Sequence, residues 1–193
     1  MTALPPLILA SGSRYRAELL SRLGFPFEVR APDVDESPQP EEGAATLVVR
    51  LARSKAAKIA RQAPDAVVIG ADQLAVCEGR ILGKPGTRSA AIGQLRWMSG
   101  RTVSFITGMA VFGPTLDRAG AEVVELDFRH LSLEEIERYV DREQPLDCSG
   151  AIRTEGLGIS LLERVRCEDP TALIGLPLIR LAGWLRDAGF PLP

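Results

Sequence analysis

"LILASGSRYRAELL", Leu7 to Leu20, is the stretch from which the rest of the chain can be read. Four apolar residues, enough for a short buried strand, break at once into two serines, a glycine and two arginines. A helical spacing of Ala17, Leu19, Leu20 and Leu23 follows, with Gly24 as its stop, so the helix is expected over Arg16 to Leu23. A chain that only had to turn could use Asn-Gly or Pro-Asp. Small hydroxyls and guanidinium groups at a strand-to-helix junction point instead to a held anion, because a helix N-terminus offers free N–H groups and a partial positive charge.

Composition says that such a site must be local. The chain has 193 residues, 46% of them hydrophobic, which fits one domain spanning residues 1–193 with a sizeable core. Its 23 Lys and Arg against 25 Asp and Glu leave a net charge of −2, with no global attraction to nucleic acid or to an anionic membrane. Cys77, Cys148 and Cys167 fit no metal-ligand spacing and read as reduced thiols. No basic segment leads into an apolar core, and no run approaches the ~20 residues of a membrane span, so a soluble, cytoplasmic protein is expected. His130 is the only histidine, which removes the zinc patterns that need two imidazoles and leaves a Ser-His-Asp triad one candidate base. At the end of an alternating strand it reads as structural, and catalysis is expected to rest on carboxylates.

Beyond the first helix, "FEVRAPDVDESPQPEEG" reads as a strand and an acidic, proline-rich loop in which Glu36 is either solvated or a ligand. "AATLVVRLARSKAAKIARQ" places Leu47, Leu51 and Lys55 at steps of four on one helical stripe, so the lysine either snorkels or aims at a buried partner. "DAVVIGADQLAVCEGRILGKPG" opens with the β-branched run of a strand covered on both faces and delivers Asp72 just past Gly70. A helix then precedes two extended segments, "TVSFITGMAVFG" and "AEVVELDFRHL", expected to be joined by a loop containing Gly-Pro and Asp-Arg-Ala-Gly. Ser132 and Glu135 form a capping box, and Pro177 and Gly189 bracket a last helix. Strands alternating with helices, plus one hairpin, indicate a mixed α/β fold with a largely central sheet.

Ser11, Ser13, Arg14 and Arg16, with Lys55 and the Lys84 of "LGKPG", supply more cationic and hydroxyl groups than one phosphate needs; a polyphosphate would use them all. The spacing is not that of a Walker A loop. Asp72 leaves a buried strand and must meet cations, a metal or hydrogen bonds. Together with Glu36 it could hold a hard divalent cation such as Mg²⁺ or Mn²⁺, and one carboxylate could take a proton from an attacking water.

The ordered set "ILASGSRYRAELL", "APDVDES", "RLARSKA", "VIGADQLAV", "LGKP" and "SGAIRTEGLG…GLPL" resembles the Maf family of nucleoside triphosphate pyrophosphatases over nearly the whole chain. The resemblance implies a mixed central sheet flanked by helices, in two lobes with a cleft, related to the inosine-triphosphate pyrophosphatases. It also implies a divalent cation, a homodimer in many members, and cleavage of a nucleoside triphosphate to the monophosphate and pyrophosphate. On this basis Asp72 matches the proton acceptor, and Ser11, Arg16, Lys55 and Lys84 match phosphate-handling positions. Glu36 matches the acid that joins Asp72 at the metal.

Tyr15 stands where the common form has arginine, Gln73 where it has threonine, and Glu155 lies in "TEG"; these look like the branch that acts on 7-methyl-GTP. An aromatic face beside the cationic N7-methylguanine gains about 0.5–2 kcal/mol, and a glutamate can accept from the guanine edge. Arg14 replaces the usual proline. The alternatives are a dTTP/UTP pyrophosphatase of the same family and a non-catalytic nucleotide-binding regulator of cell division.

Overall fold

In the strand Leu7–Ala10 (β1), Leu7 and Leu9 face one helical layer while Ile8 and Ala10 face another. The same division holds for Val67, Ile69 and Ala71 against Val68 in Val67–Cys77 (β3), and for Met109 and Val111 against Ala110 in Thr102–Gly113 (β5). Period-2 alternation with both faces covered is why these strands read as unbroken apolar runs. The odd-numbered set packs against the helices Arg14–Ser21 (α1) and Leu178–Asp187 (α5) through Leu19, Leu20, Leu181 and Leu185. The even-numbered set packs against Ala44–Ala60 (α2) through Ala52, Ala56 and Ile59.

This computed structural model describes residues 4–193. The remaining elements are Glu28–Val29 (β2), Arg80–Leu82 (β4), Arg88–Met98 (α3), Leu116–Phe128 (β6), Leu133–Glu143 (α4) and Leu162–Arg166 (β7), with short 3₁₀ turns at Ser149–Ala151, Leu157–Leu161 and Pro170–Ile174. The strand order is β2-β1-β3-β5-β6-β7, with β4 paired to β3. β1 runs parallel to β2 and β3, whereas β4 and β7 pair antiparallel to β3 and β6. The sheet is therefore mixed, as expected.

The chain divides into two compact units. The first holds the residues up to Asp72, Thr107–Glu122 and Asp169–Pro193, and contains the helix-sheet-helix packing just described. The second holds Gln73–Ile106 and Val123–Glu168. In it α3 buries Ala91, Leu95 and Met98, α4 buries Ile136, Tyr139 and Val140, and Arg88 joins Asp141 across the two helices at 2.6 Å. Ser132 and Glu135 make both bonds of the capping box.

α1, which runs from Arg14 to Ser21 rather than from Arg16 to Leu23, and the β5–β6 connection differ from the sequence reading. α1 begins at Arg14 because Ser13 is its N-cap, accepting from the Arg16 N–H. The connection between β5 and β6 is only Pro114-Thr115, and Asp117 to Gly120 lie inside β6. At Gly120 a Cβ would stand 2.6 Å from Nη1 of Arg180, whose guanidinium pairs with Glu122 at 2.5 Å. Among the described residues all three cysteines are free thiols, and no helix is long and apolar enough to cross a membrane.

Gly70 and Gly108 let α2 approach the sheet. A Cβ on Gly70 would stand 2.8 Å from the Ala56 amide nitrogen, and one on Gly108 would stand 2.7 Å from that of Val49. Gly70→Ala is expected to lower stability by about 1–3 kcal/mol through overpacking against backbone. Gly93→Ala, in α3 with open space around the site, is expected to raise it by up to about 1 kcal/mol. Urea unfolding of both variants checks the opposite signs.

Candidate active site

Asp72 belongs to the even-numbered set of β3, two residues beyond Gly70, and so emerges on the α2 side. Lys55 sits between Ala52 and Ala56 on the buried stripe of α2. The close approach at Gly70 brings them together: Lys55 Nζ donates to Asp72 Oδ1 at 2.7 Å. The same ammonium lies 2.6 Å from Glu36 Oε1 on the acidic loop. Lys55 and Asp72 are each 8% exposed, so water contributes little to their charges and the pairing must. Glu36 reaches in from solvent. Lys55 thus aims at a buried partner rather than snorkelling.

Arg16 supplies a second cation beside this pair. Its Nη1 donates to the Ala71 carbonyl at 2.8 Å and to Ser11 Oγ at 3.2 Å, and its Nε donates to the Gly175 carbonyl at 3.0 Å. Burial pushes its guanidinium below the usual arginine range, and the carboxylates of Asp72 and Glu36 pull it back up. Ser11 Oγ also accepts from the Ser13 N–H at 3.2 Å. A hydroxyl that accepts twice still has its own proton to donate. Ser11, Arg16, Lys55, Asp72 and Glu36 are therefore assembled in one unit, with the N-terminus of α1 adjoining.

Tyr15 is half-buried, and its ring is already matched to a planar cation. The Arg14 guanidinium carbon lies 4.7 Å from the ring centroid, and Arg14 Nη2 donates to the Tyr15 hydroxyl at 2.7 Å. Arg14 therefore lies against the aromatic side chain next to it.

Gln73, Lys84 and Glu155 lie in the second unit. Lys84 has an exposed side chain on a loop pinned at both ends: the Gly83 carbonyl accepts from the Gly150 N–H and from Gln94 Nε2, and the Gly86 N–H donates to the Leu146 carbonyl. Gly150, at φ 66°, packs under Ala75 and Phe105, so the "SGA" motif holds the "LGKP" motif by backbone contact. Glu155 is exposed on a loop organised by Glu143, which accepts from the Leu157 N–H at 2.7 Å and pairs with Arg153 at 3.1 Å. Gly156 leaves room for that carboxylate. His130 packs its imidazole over Gly100, a structural placement outside the first unit.

Two groups were not legible in the sequence, the carbonyls of Ala71 and Gly175. Backbone acceptors carry no side-chain signature; the only cue for the second is a glycine, here at φ 118°, closing a short turn.

A divalent cation would find a limited donor set. Among the described residues no group of three or more His, Cys, Asp or Glu could hold a metal ion, but Asp72 and Glu36 converge on one point, the Lys55 ammonium. Two carboxylates suit a hard cation that takes its other ligands from phosphate oxygens and water.

Acid and base side chains converging beside a helix N-terminus define a class, an α/β protein equipped to handle a charged phosphate ester or anhydride. The chain belongs to the Maf family: the model of the Maf-like protein family matches residues 6–188. A protein named 7-methyl-GTP pyrophosphatase from Xanthomonas oryzae pv. oryzae is 53% identical over 190 residues, covering 98% of this chain and 100% of its own. Proteins of the same name from Nitrosococcus oceani and Pseudomonas aeruginosa are each 50% identical, over 97% and 98% of this chain and 96% and 100% of theirs. Among solved structures, a HAM1 protein from Coxiella burnetii shares 19% identity at a TM-score of 0.48, over 66% of this chain and 75% of that one.

Lys55→Met would leave Asp72 buried without its cation, and a loss of about 3–5 kcal/mol is expected. Adding Asp72→Asn should recover part of that loss, so the double variant should fall short of the sum of the two single losses. Guanidinium unfolding of the four proteins measures the coupling.

Proposed function

We propose that this protein is a hydrolase that cleaves 7-methyl-GTP to 7-methyl-GMP and pyrophosphate, removing a non-standard nucleotide from the pool. The observation that carries the reading is the convergence of Asp72, Glu36, Lys55 and Arg16 beside the N-terminus of α1. Membership of the Maf family and the shared name of relatives at 50–53% identity support it. We place the activity in the cytoplasm and treat residues 1–193 as one working domain, since β3, β5 and β6 each run through both units.

In the proposed reaction a water oxygen bonds to the α-phosphorus, the bond from that phosphorus to the bridging oxygen breaks, and pyrophosphate leaves. Asp72 accepts the proton that the water gives up. Lys55 and Arg16 donate to phosphate oxygens and offset the charge that builds on the leaving group. Ser11 adds a hydroxyl donor, and Lys84 contributes a further cation from its pinned loop. Asp72 and Glu36 would hold a Mg²⁺ or Mn²⁺ ion, which supplies charge neutralisation and polarisation at phosphate oxygens.

Nucleotide preference is assigned to Tyr15, Gln73 and Glu155. The Arg14 guanidinium against Tyr15 supports this, because a ring that already takes a delocalised cation suits the N7-methylguanine ring. The base would take the place of Arg14 on that face, and Glu155 would accept from the guanine edge.

Incubation with Mg²⁺ or Mn²⁺ and separate 7-methyl-GTP, GTP, dTTP, UTP, CTP and ITP, with products separated by chromatography, tests the reading. Pyrophosphate with 7-methyl-GMP, and little from dTTP or UTP, is the expected outcome. Preference for dTTP or UTP would overturn the specificity assignment, and no turnover of any nucleotide would favour a binding protein. Asp72→Asn is expected to keep nucleotide binding by calorimetry while kcat falls by roughly 10²–10⁴; undiminished turnover would remove Asp72 as the base.

A further inference from the structure

We infer that Asp169 positions Arg16 for phosphate binding, acting through Thr171 and the carbonyl of Gly175. The inference rests on the reading of Arg16 given under the proposed function.

Asp169 is 3% exposed, and a buried carboxylate is retained only where donors satisfy it. Its Oδ1 accepts from the Thr171 N–H at 2.9 Å and the Thr171 hydroxyl at 2.5 Å, and its Oδ2 accepts from the Ile179 N–H at 2.7 Å. Thr171 Oγ1 accepts in turn from the Leu178 N–H at 2.8 Å. One side chain therefore ties the start of the Pro170–Ile174 turn to the first residues of α5. The segment between them, Gly175 to Pro177, is held from both ends.

Gly175 lies in that fastened segment at φ 118°, with its N–H donating to the Ala172 carbonyl at 3.0 Å. The Ala172 carbonyl also accepts from the Thr107 hydroxyl at 2.8 Å, and Thr107 is fully buried in β5. Backbone direction here is consequently fixed, and it points the Gly175 carbonyl at Arg16 Nε, 3.0 Å away. A Cβ on Gly175 would stand 3.3 Å from that same nitrogen, so the contact is close from both sides.

The remaining contacts of Arg16 given above, to Ala71 and Ser11, both use Nη1. A planar guanidinium held at one nitrogen can pivot about it; a second anchor at Nε fixes the plane in which its other N–H groups point. The influence of Asp169 on Arg16 passes through the Gly175 carbonyl.

A double-mutant cycle separates this role from simple capping of a turn and a helix. The variants are Asp169→Asn, Thr171→Val and Arg16→Ala, with each of the first two also combined with Arg16→Ala. The primary readout is the dissociation constant of inorganic pyrophosphate in Mg²⁺, by calorimetry, with urea midpoints recorded in parallel. With Arg16 present, Asp169→Asn and Thr171→Val are expected to weaken pyrophosphate by about tenfold, the loss of roughly one charge-assisted hydrogen bond. In the Arg16→Ala background each should change it by less than about twofold, while the loss of stability is the same in both backgrounds.

Equal weakening in both backgrounds, or unchanged binding in the two single variants, overturns the positioning role. If Arg16→Ala binds pyrophosphate as well as the unaltered protein does, the phosphate role of Arg16 falls, and this inference with it. Should Asp169→Asn fail to fold, Thr171→Val, which keeps the carboxylate and the side-chain shape, decides the matter alone.

Discussion

The close approach of α2 to β3 and β5 is the constraint on which the rest of the site depends. Two glycines on neighbouring strands, Gly70 and Gly108, leave space that helix backbone fills, so the helix lies nearer the sheet than a Cβ at either position would allow. Lys55 is carried in with it, and its ammonium meets Asp72 two residues past Gly70. An ammonium and a carboxylate buried at this depth would each be costly alone. Their geometry is acceptable because a second carboxylate, Glu36, comes in from an exposed loop to the same nitrogen.

That arrangement balances charge within a small volume of an otherwise nearly neutral chain. Arg16 feels both carboxylates while being held by two backbone carbonyls and a hydroxyl; burial holds its guanidinium below the usual arginine range, and the two carboxylates oppose that shift. Most of its fixed contacts are to neutral acceptors. Such a guanidinium is oriented without being neutralised by direct pairing, a useful condition for binding an anion. The N-terminus of α1, capped by Ser13, adds its partial charge on the same side of the chain as Ser11 and Arg16.

The second unit is built differently. Its sequence motifs are joined by hydrogen bonds: "LGKP" to "SGA" through the backbone at Gly83 and Gly150, and the Glu155 loop to α4 through the Glu143 side chain. Lys84 and Glu155 are consequently exposed side chains on well-anchored loops. A loop fixed in this way can present a long side chain without burying it.

The sequence by itself determined the elements and their layering, because hydrophobic periodicity is local: continuous runs in Leu7–Ala10 and Val67–Ala71 required covering on both faces, and the stripe of α2 already included Lys55. It also pointed to Ser11, Arg16, Lys55 and Asp72 as chemistry-bearing residues, since hydroxyls and charges next to buried runs need a reason. Asp-Arg-Ala-Gly has turn composition, yet these residues lie inside β6 and the turn is Pro114-Thr115. Only the tertiary structure decided that Glu36 reaches Lys55, that Arg14 lies against Tyr15, and that Gly175 and Asp169 stand behind Arg16. The contacts of Glu36, Gly175 and Asp169 run through loop paths and main-chain carbonyls, and the Arg14–Tyr15 contact depends on side-chain rotamers; none of these leaves a periodic or compositional trace in the order of side chains.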